Sequence, residues 1–301
     1  MKVAAAVPRV RVADCDFNAS EIIRCVNEAV SMEVQVIVFP ELCITGYSCG
    51  DLFFQKTLLH GAAQSLRQIA DATLLQDIIV IVGMPLAVES LLLNTAVVLQ
   101  RGRMLGVVSK SYLPNYREFQ EKRWFVSACC CDVKETILHQ QLVPLGNDLV
   151  FCTPAGNFGI ELCEDLWAPI PPSSCLAMNG ADVIFNLSAS DECSGKHDYL
   201  CSLLTDQSLR TCSGYVYSSS GFGESTADVV FAGNGIIYEN GKLVGKTRRF
   251  SLDGQIAVAD IDIASLRRER QANEVFVACA RNHPFERVRR VVASPFLHRL
   301  E

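Results

Sequence analysis

The chain carries little charge, few histidines and no apolar run long enough for a membrane span. Charged residues make up 20% of 301 positions and the formal net charge is -6, so nothing favours nucleic acid or an anionic membrane surface as a partner. The longest apolar stretch, residues 78–88, contains Gly83 and Pro85 and is too short to cross a bilayer. In the opening MKVAAAVPRVRV, Pro8, Arg9 and Arg11 stand where a signal peptide needs an unbroken hydrophobic region. The five histidines do not cluster near cysteines, and no two of the fourteen cysteines are spaced C-x-x-C, which argues against a zinc site. No metal is expected. Cys129, Cys130 and Cys131 are consecutive and many others lie in apolar runs, a placement that suits reduced thiols in a cytoplasmic protein better than a disulfide framework. Gly221-Phe222-Gly223 and Gly233-Asn234-Gly235 do not extend to G-x-G-x-x-G, so a dinucleotide fingerprint is lacking too.

Half of the residues are hydrophobic, which supplies a buried core and argues against disorder. Residues 3–7 read as a first buried strand. Asn18, with Glu21 three positions on, resembles a capping box opening a helix whose apolar positions include Ile22, Ile23, Val26 and Val30. A strand over 34–39, a helix over 60–75 and a strand over 78–82 continue the alternation of an α/β protein. Residues 94–100 and 104–109 flank Arg101-Gly102-Arg103 as an antiparallel hairpin, so the sheet is mixed. A long connection, 111–127, follows. Further on come a Pro-rich loop, a short helix to Met178, a strand over 183–187, a helix over 196–212 and a strand over 215–218. Asn234-Gly235 and Asn240-Gly241 signal hairpins. The reading is one domain over residues 1–280 and a basic tail, 281–301, holding Arg281, Arg287, Arg289 and Arg290. Such a cluster is a solvated face or a domain or subunit contact.

Three apolar strand-like runs end in a residue that acyl transfer can use: Glu41 in FPELCITGY, Lys110 in VVSKSYLPNYREFQEKRWF and Cys163 in FGIELCEDLW. If the strands share an orientation, the three side chains meet at one rim. A thiol attacks an amide carbon as its thiolate, so a nearby ammonium and a carboxylate base both assist. Cys163 is assigned as nucleophile and Glu41 as general acid and base. Lys110 and the backbone N–H of Glu164 are assigned as donors to the developing oxyanion. Taken singly, each residue also reads as a surface carboxylate, a solvated lysine or a buried small thiol. A protease-type Cys–His pair has only His197, four residues after Cys193, to draw on.

In this order, FPELCITGY, KSYLPNYREFQEKRWF and ELCEDLWAPIPP resemble the nitrilase or carbon-nitrogen hydrolase superfamily over residues 2–281. The strings LPNYREF, CEDLW with its following prolines, NLSASDECSGK at 186–196 and HPFERVRRVVASPF look like one branch, the glutaminase domain of glutamine-dependent NAD synthetases. The resemblance implies a four-layer αββα sandwich, two mixed sheets flanked by helices, and hydrolysis of L-glutamine to glutamate and ammonia through a cysteine thioester. It implies Glu121 as a second carboxylate that positions Lys110 and the substrate. It also puts Tyr116 and Trp167 beside the substrate, with Glu164, Ser190 and Lys196 as polar contacts; on charge alone Lys196 suits the α-carboxylate.

No cofactor is implied for this domain. ATP and magnesium belong to a synthetase domain that amidates deamido-NAD through an S-G-G-x-D-S loop; the nearest string here, SSSGFGES at 218–225, lacks the aspartate. Expected partners are L-glutamine, that synthetase domain and further copies of the chain in a homo-oligomer, with neither nucleic acid nor membrane. Residues 297–301 do not continue the resemblance and read as vector-derived residues on an isolated domain. Two other readings stay open: a stand-alone amidase or nitrilase acting on another small amide, and a catalytically silent nitrilase-like interaction module.

Overall fold

The computed structural model describes residues 1–282 and 288–296. Arg287 of the basic cluster, the rest of 283–287 and residues 297–301 lie outside the described residues. The first half of the chain runs β1 (Lys2–Val7), α1 (Cys15–Ser31), β2 (Val36–Val38), α2 (Lys56–Ala72), β3 (Ile79–Val88), β4 (Leu91–Gln100), β5 (Arg103–Ser109), β6 (Glu135–Leu138) and β7 (Gln141–Gly146). The second half runs β8 (Leu149–Thr153), β9 (Gly156–Leu162), α3 (Pro172–Met178), β10 (Val183–Ser188), α4 (Lys196–Arg210), β11 (Gly214–Ser219), β12 (Gly235–Glu239) and β13 (Lys242–Lys246). The chain then adds β14 (Gln255–Asp260), α5 (Ile263–Ala272), α6 (Glu274–Asn282) and β15 (Arg289–Val292).

The strands form two mixed sheets, in the orders β14-β1-β2-β3-β4-β5-β7-β6 and β13-β12-β11-β10-β9-β8-β15. Period-2 alternation puts one face of each strand against the other sheet and the opposite face against helices. Val3 and Ala5 of β1 join Phe158, Ile160 and Phe185 in the core between the sheets, whereas Ala4 and Ala6 join Ile22, Val26, Leu66 and Ile69 of α1 and α2. On the second sheet Ile184, Tyr215 and Tyr217 turn outward to meet Leu176 of α3 and Leu200 and Leu204 of α4. The result is the expected αββα sandwich. Phe158 ties its middle together, stacked on Phe151 at 5.0 Å and edge-on to Phe185 at 5.4 Å.

Four local expectations are corrected. Helix α1 starts before Asn18: Asp14 is the N-cap and accepts from Phe17 N–H at 3.1 Å. Asn18 lies one turn inside, where its buried amide donates to the carbonyls of Arg11 (2.9 Å) and Ile44 (3.0 Å); tertiary partners outcompete the capping role. Strand β3 continues through Gly83 and Pro85 to Val88. Asn234-Gly235 is no hairpin, because Gly235 opens β12 at a point where a Cβ would stand 2.9 Å from Thr247 and 3.2 Å from the Ala5 carbonyl. By contrast Asn240 and Gly241 both take positive φ (46° and 79°) between β12 and β13, as a two-residue type I′ turn requires. Finally, residues 289–292, read from sequence as part of a tail, form the edge strand β15, parallel to β8. Arg289 is anchored there by Asp148, 2.8 Å from its Nε.

Candidate active site

Strand β2 pairs parallel with β3, β3 antiparallel with β4, and β4 antiparallel with β5. Strands β2 and β5 therefore point the same way and carry their last residues to one rim. Glu41 follows the first and Lys110 the second, and both are fully out of solvent (0% exposed). Lys110 Nζ donates to Glu41 Oε1 at 2.6 Å and to Glu121 Oε1 at 2.7 Å. Asn94, on β4 between them, donates to the same Glu41 oxygen at 2.7 Å, and the Tyr47 hydroxyl donates to Glu121 Oε1 at 2.8 Å. Glu41 Oε2 is buried and has no hydrogen-bond partner among the described residues. The approach of Glu41 depends on Gly83, where a Cβ would lie 2.4 Å from Leu42 N and 2.6 Å from the Pro40 carbonyl; only glycine lets β3 run that close to the Glu41 turn.

The second sheet brings Cys163 to the same rim. Glu41 N–H donates to the Ser188 carbonyl at the end of β10 (3.2 Å), and the charges of Glu41, Lys110 and Glu121 all act on the Cys163 thiol. Cys163 itself has φ +44°, a left-handed conformation that costs a non-glycine residue about 1–3 kcal/mol. It starts a short 3₁₀ turn, Cys163–Trp167, that swings the thiol out of the strand line. The turn is held by Asp165, buried, whose carboxylate accepts from Leu162 N–H (3.0 Å), Ser111 N–H (3.1 Å) and Tyr112 N–H (2.8 Å). One carboxylate thus locks the cysteine turn to the lysine loop. Burial pushes the Asp165 carboxyl up to about 8, against the lowering effect of those N–H groups.

Charges in this dry pocket work against one another. Burial opposes the Lys110 ammonium, but Glu121 and Glu41 outweigh it and hold its pKa well above the ordinary value. Burial pushes the Glu121 carboxyl up to about 7, lowered by Lys110 and raised again by Glu41. The Cys163 thiol is driven far up, first by burial and then by the Glu41 carboxylate, with Lys110 pulling the other way. At neutral pH the resting thiol therefore keeps its proton.

Around this core lie the other residues singled out from sequence. Tyr116, half exposed, donates its hydroxyl to Glu164 Oε1 at 2.8 Å; burial raises the Glu164 pKa and the Tyr116 bond lowers it. Trp167 stacks on Tyr199 at 5.5 Å. Lys196, at the start of α4, lies over the Trp167 and Phe119 rings at 5.5 and 5.9 Å and is ion-paired with Asp191. Ser190 is buried, and its N–H donates to Ser219 Oγ at 3.1 Å. His197 meets Cys201 at 3.6 Å while the Cys193 thiol donates to Asp191, so the protease-type pair considered from sequence does not form. Among the described residues no group of three His, Cys, Asp or Glu could hold a metal ion, and no helix is long and apolar enough to cross a membrane.

Residues 2–271 match the carbon-nitrogen hydrolase family. The chain belongs to that family. It is 37% identical over 300 residues to the glutamine-dependent NAD(+) synthetase of Mycobacterium leprae, covering 96% of the chain and 43% of the relative. It is 28% identical over 289 residues to the human glutamine-dependent NAD(+) synthetase, covering 92% and 40%. Among solved structures it resembles a glutamine-dependent NAD(+) synthetase from Cytophaga hutchinsonii (TM-score 0.79, 27% identity, 87% of this chain and 43% of that one). A variant of the Nesterenkonia AN1 amidase from the nitrilase superfamily shares the fold (TM-score 0.69, 18% identity, 90% and 95%). The chain spans less than half the length of these synthetases.

For this carbon-nitrogen hydrolase, sequence reasoning missed four polar residues of the site: Tyr47, Asn94, Asp165 and Glu224. Tyr47 and Asp165 sat inside quoted motifs, where nothing distinguished them from their neighbours. Asn94 is a polar residue inside an apolar strand, LLLNTAVVL, and a buried amide of that kind signals a partner. Glu224 sat inside SSSGFGES, a string weighed only as a phosphate loop; its buried carboxylate accepts from Tyr47 N–H (2.7 Å), Ser48 N–H (3.0 Å) and Ser48 Oγ (2.8 Å). It thereby fixes the loop from which Tyr47 reaches Glu121.

Proposed function

We propose that this chain is a glutaminase that hydrolyses L-glutamine to glutamate and ammonia, with Cys163 as nucleophile, Glu41 as general acid and base, and Lys110 as oxyanion donor. The observation that carries the reading is the solvent-free Glu41–Lys110–Glu121 cluster whose one open oxygen, Glu41 Oε2, serves the rim where Cys163 sits. The thiol proton passes to Oε2 as sulfur attacks the amide carbon, so no free thiolate has to exist beforehand. The carbonyl oxygen gains charge, which Lys110 Nζ and the N–H of Glu164 stabilise at low dielectric. Collapse breaks the carbon–nitrogen bond, and Glu41 returns its proton to the departing nitrogen, giving ammonia and a thioester. Glu41 next deprotonates water, which attacks the thioester and frees glutamate and the thiol. Glu121 keeps Lys110 in place, and Tyr116, Glu164, Trp167, Ser190 and Lys196 line the approach.

The ammonia serves a synthetase domain that adenylates and amidates deamido-NAD with ATP and magnesium, as the similarity to glutamine-dependent NAD synthetases supports. A homo-oligomer working in the cytoplasm is part of the same reading. The test is exposure of the chain to a diazo-ketone analogue of norleucine, with the adduct located by peptide mass spectrometry with and without excess L-glutamine. An adduct at Cys163 that glutamine suppresses is the expected result. Reaction at the exposed Cys129, Cys130 and Cys193 with Cys163 spared sinks the proposal.

A further inference from the structure

One ion pair beside the cysteine turn has no part in the acyl-transfer steps. Lys196 Nζ donates to Asp191, five residues earlier, across the turn that opens α4. Asp191 is 8% exposed, and among the described residues its other carboxylate oxygen receives only the weak Cys193 thiol donor, at 3.7 Å. The backbone of Asp191 is bridged to Phe231, whose ring stands 6.0 Å from that of Tyr47. Lys196 lies against Trp167, the residue that closes the turn begun by Cys163. Lys196 also acts on Glu164, the residue after Cys163, so the pair is held beside the cysteine turn, its two members on opposite arms of one loop.

We infer that Asp191 completes the expected Lys196 contact into a zwitterion clamp and so sets the preference for amides that carry an α-amino group. Lys196 takes the substrate α-carboxylate and Asp191 takes the α-ammonium. The inference rests on the glutamine reading above and adds to it a residue that sets specificity. Its basis is charge balance. A carboxylate arriving alone draws Lys196 away and strands Asp191, a nearly buried anion with the Glu164 carboxylate also under the influence of Lys196; an uncompensated buried charge is strongly unfavourable. A zwitterion exchanges one ion pair for two, and no charge is left over. An amide of the same length without the α-amino group is rejected by the stranded aspartate rather than by shape.

The test compares alkylation of Cys163 by the diazo-ketone norleucine analogue with alkylation by its counterpart lacking the α-amino group, in the wild-type chain and in Asp191→Asn. The wild type is expected to prefer the amino compound. In Asp191→Asn the amino compound slows about 10- to 100-fold, the other compound reacts as fast as before or faster, and the preference collapses. Iodoacetamide, which carries neither charge, reports whether the thiol itself has moved and is expected to label Cys163 equally in both proteins. Slowing of both diazo-ketones together, or of iodoacetamide as well, makes Asp191 a residue that merely holds its loop and overturns the clamp. A wild-type chain that favours the des-amino compound, or labels Cys163 with neither, overturns the glutamine reading and the clamp with it.

Discussion

The two rims that meet at the site are built in opposite ways. The first sheet contributes side-chain charge: Glu41, Lys110 and Glu121 are dry, mutually bonded and braced by Asn94 and Tyr47. The second sheet contributes backbone: a left-handed cysteine turn, pinned by Asp165. Charge can be placed by regular strands, because their ends fix side chains well. A thiol that must leave the strand line needs a strained turn, and the strain is offset by three N–H bonds to one carboxylate.

The contrast is broken most severely at Lys110. Lys110→Met leaves the Glu41 and Glu121 carboxylates buried and facing each other, so urea unfolding should show a loss of about 3–5 kcal/mol, and glutamine turnover should fall at least about 10²-fold. Gly83→Ala attacks the same rim through its backbone. The added methyl has to displace Pro40 and Leu42, for an expected stability loss of about 1–3 kcal/mol and a rate loss near 10²-fold, from misplacing Glu41 by a fraction of an ångström or more. A rate that survives Gly83→Ala would show that Glu41 tolerates displacement.

On the second rim, above pH 8, where Asp165 is ionised, Asp165→Asn puts an NH₂ among three N–H donors. The expected stability loss is about 1–3 kcal/mol, and Cys163 should alkylate more slowly because its turn is no longer tied to the lysine loop; an unchanged alkylation rate would separate the turn from that carboxylate. The two rims can also be compared by pH. Burial pushes the Glu121 and Asp165 carboxyls up to about 7 and about 8, above the roughly 4 of an unfolded carboxyl. Over that interval the folded chain holds protons that the unfolded chain has released, so stability is greatest at the acid end and falls as pH rises through 7 to 8. Melting temperature against pH should flatten in Glu121→Gln below pH 7 and in Asp165→Asn up to pH 8. The smallest effect belongs to Tyr47→Phe, which removes one bond to Glu121 and should cost about 1 kcal/mol with a few-fold loss in turnover.

The same division explains what could be read from the sequence. Glu41, Lys110 and Cys163 stood out because each follows an apolar run, and strand ends are visible as a change in hydropathy. The αββα layering itself came from family likeness, since alternation alone fits any layered α/β fold. Asn18 and Gly235 misled because their local patterns match a cap and a hairpin, yet distant backbone claims them instead. Strands β6, β7, β8 and β14 were not picked out, being short and partly polar. Glu224, 177 residues from its partner Tyr47, could not be connected to the site by any local pattern. Asp191 is the middle case: its charge was plain, but its pairing with Lys196 depends on the turn between them.

The complete exclusion of Glu41 and Lys110 from water carries a consequence for behaviour in salt. Counter-ions screen charges over about 10 Å at 0.1 M and about 3 Å at 1 M, but only where they can approach. The inner cluster offers them no access, so the reactivity of Cys163 toward a neutral alkylating agent should stay level from dilute buffer to molar salt. Lys196, with 22% of its side chain exposed, is within their reach. On the roles proposed above, rising ionic strength should therefore loosen recognition of a charged substrate while leaving bond-breaking untouched, and a salt titration alone would separate the proposed binding half of this site from its proposed chemical half.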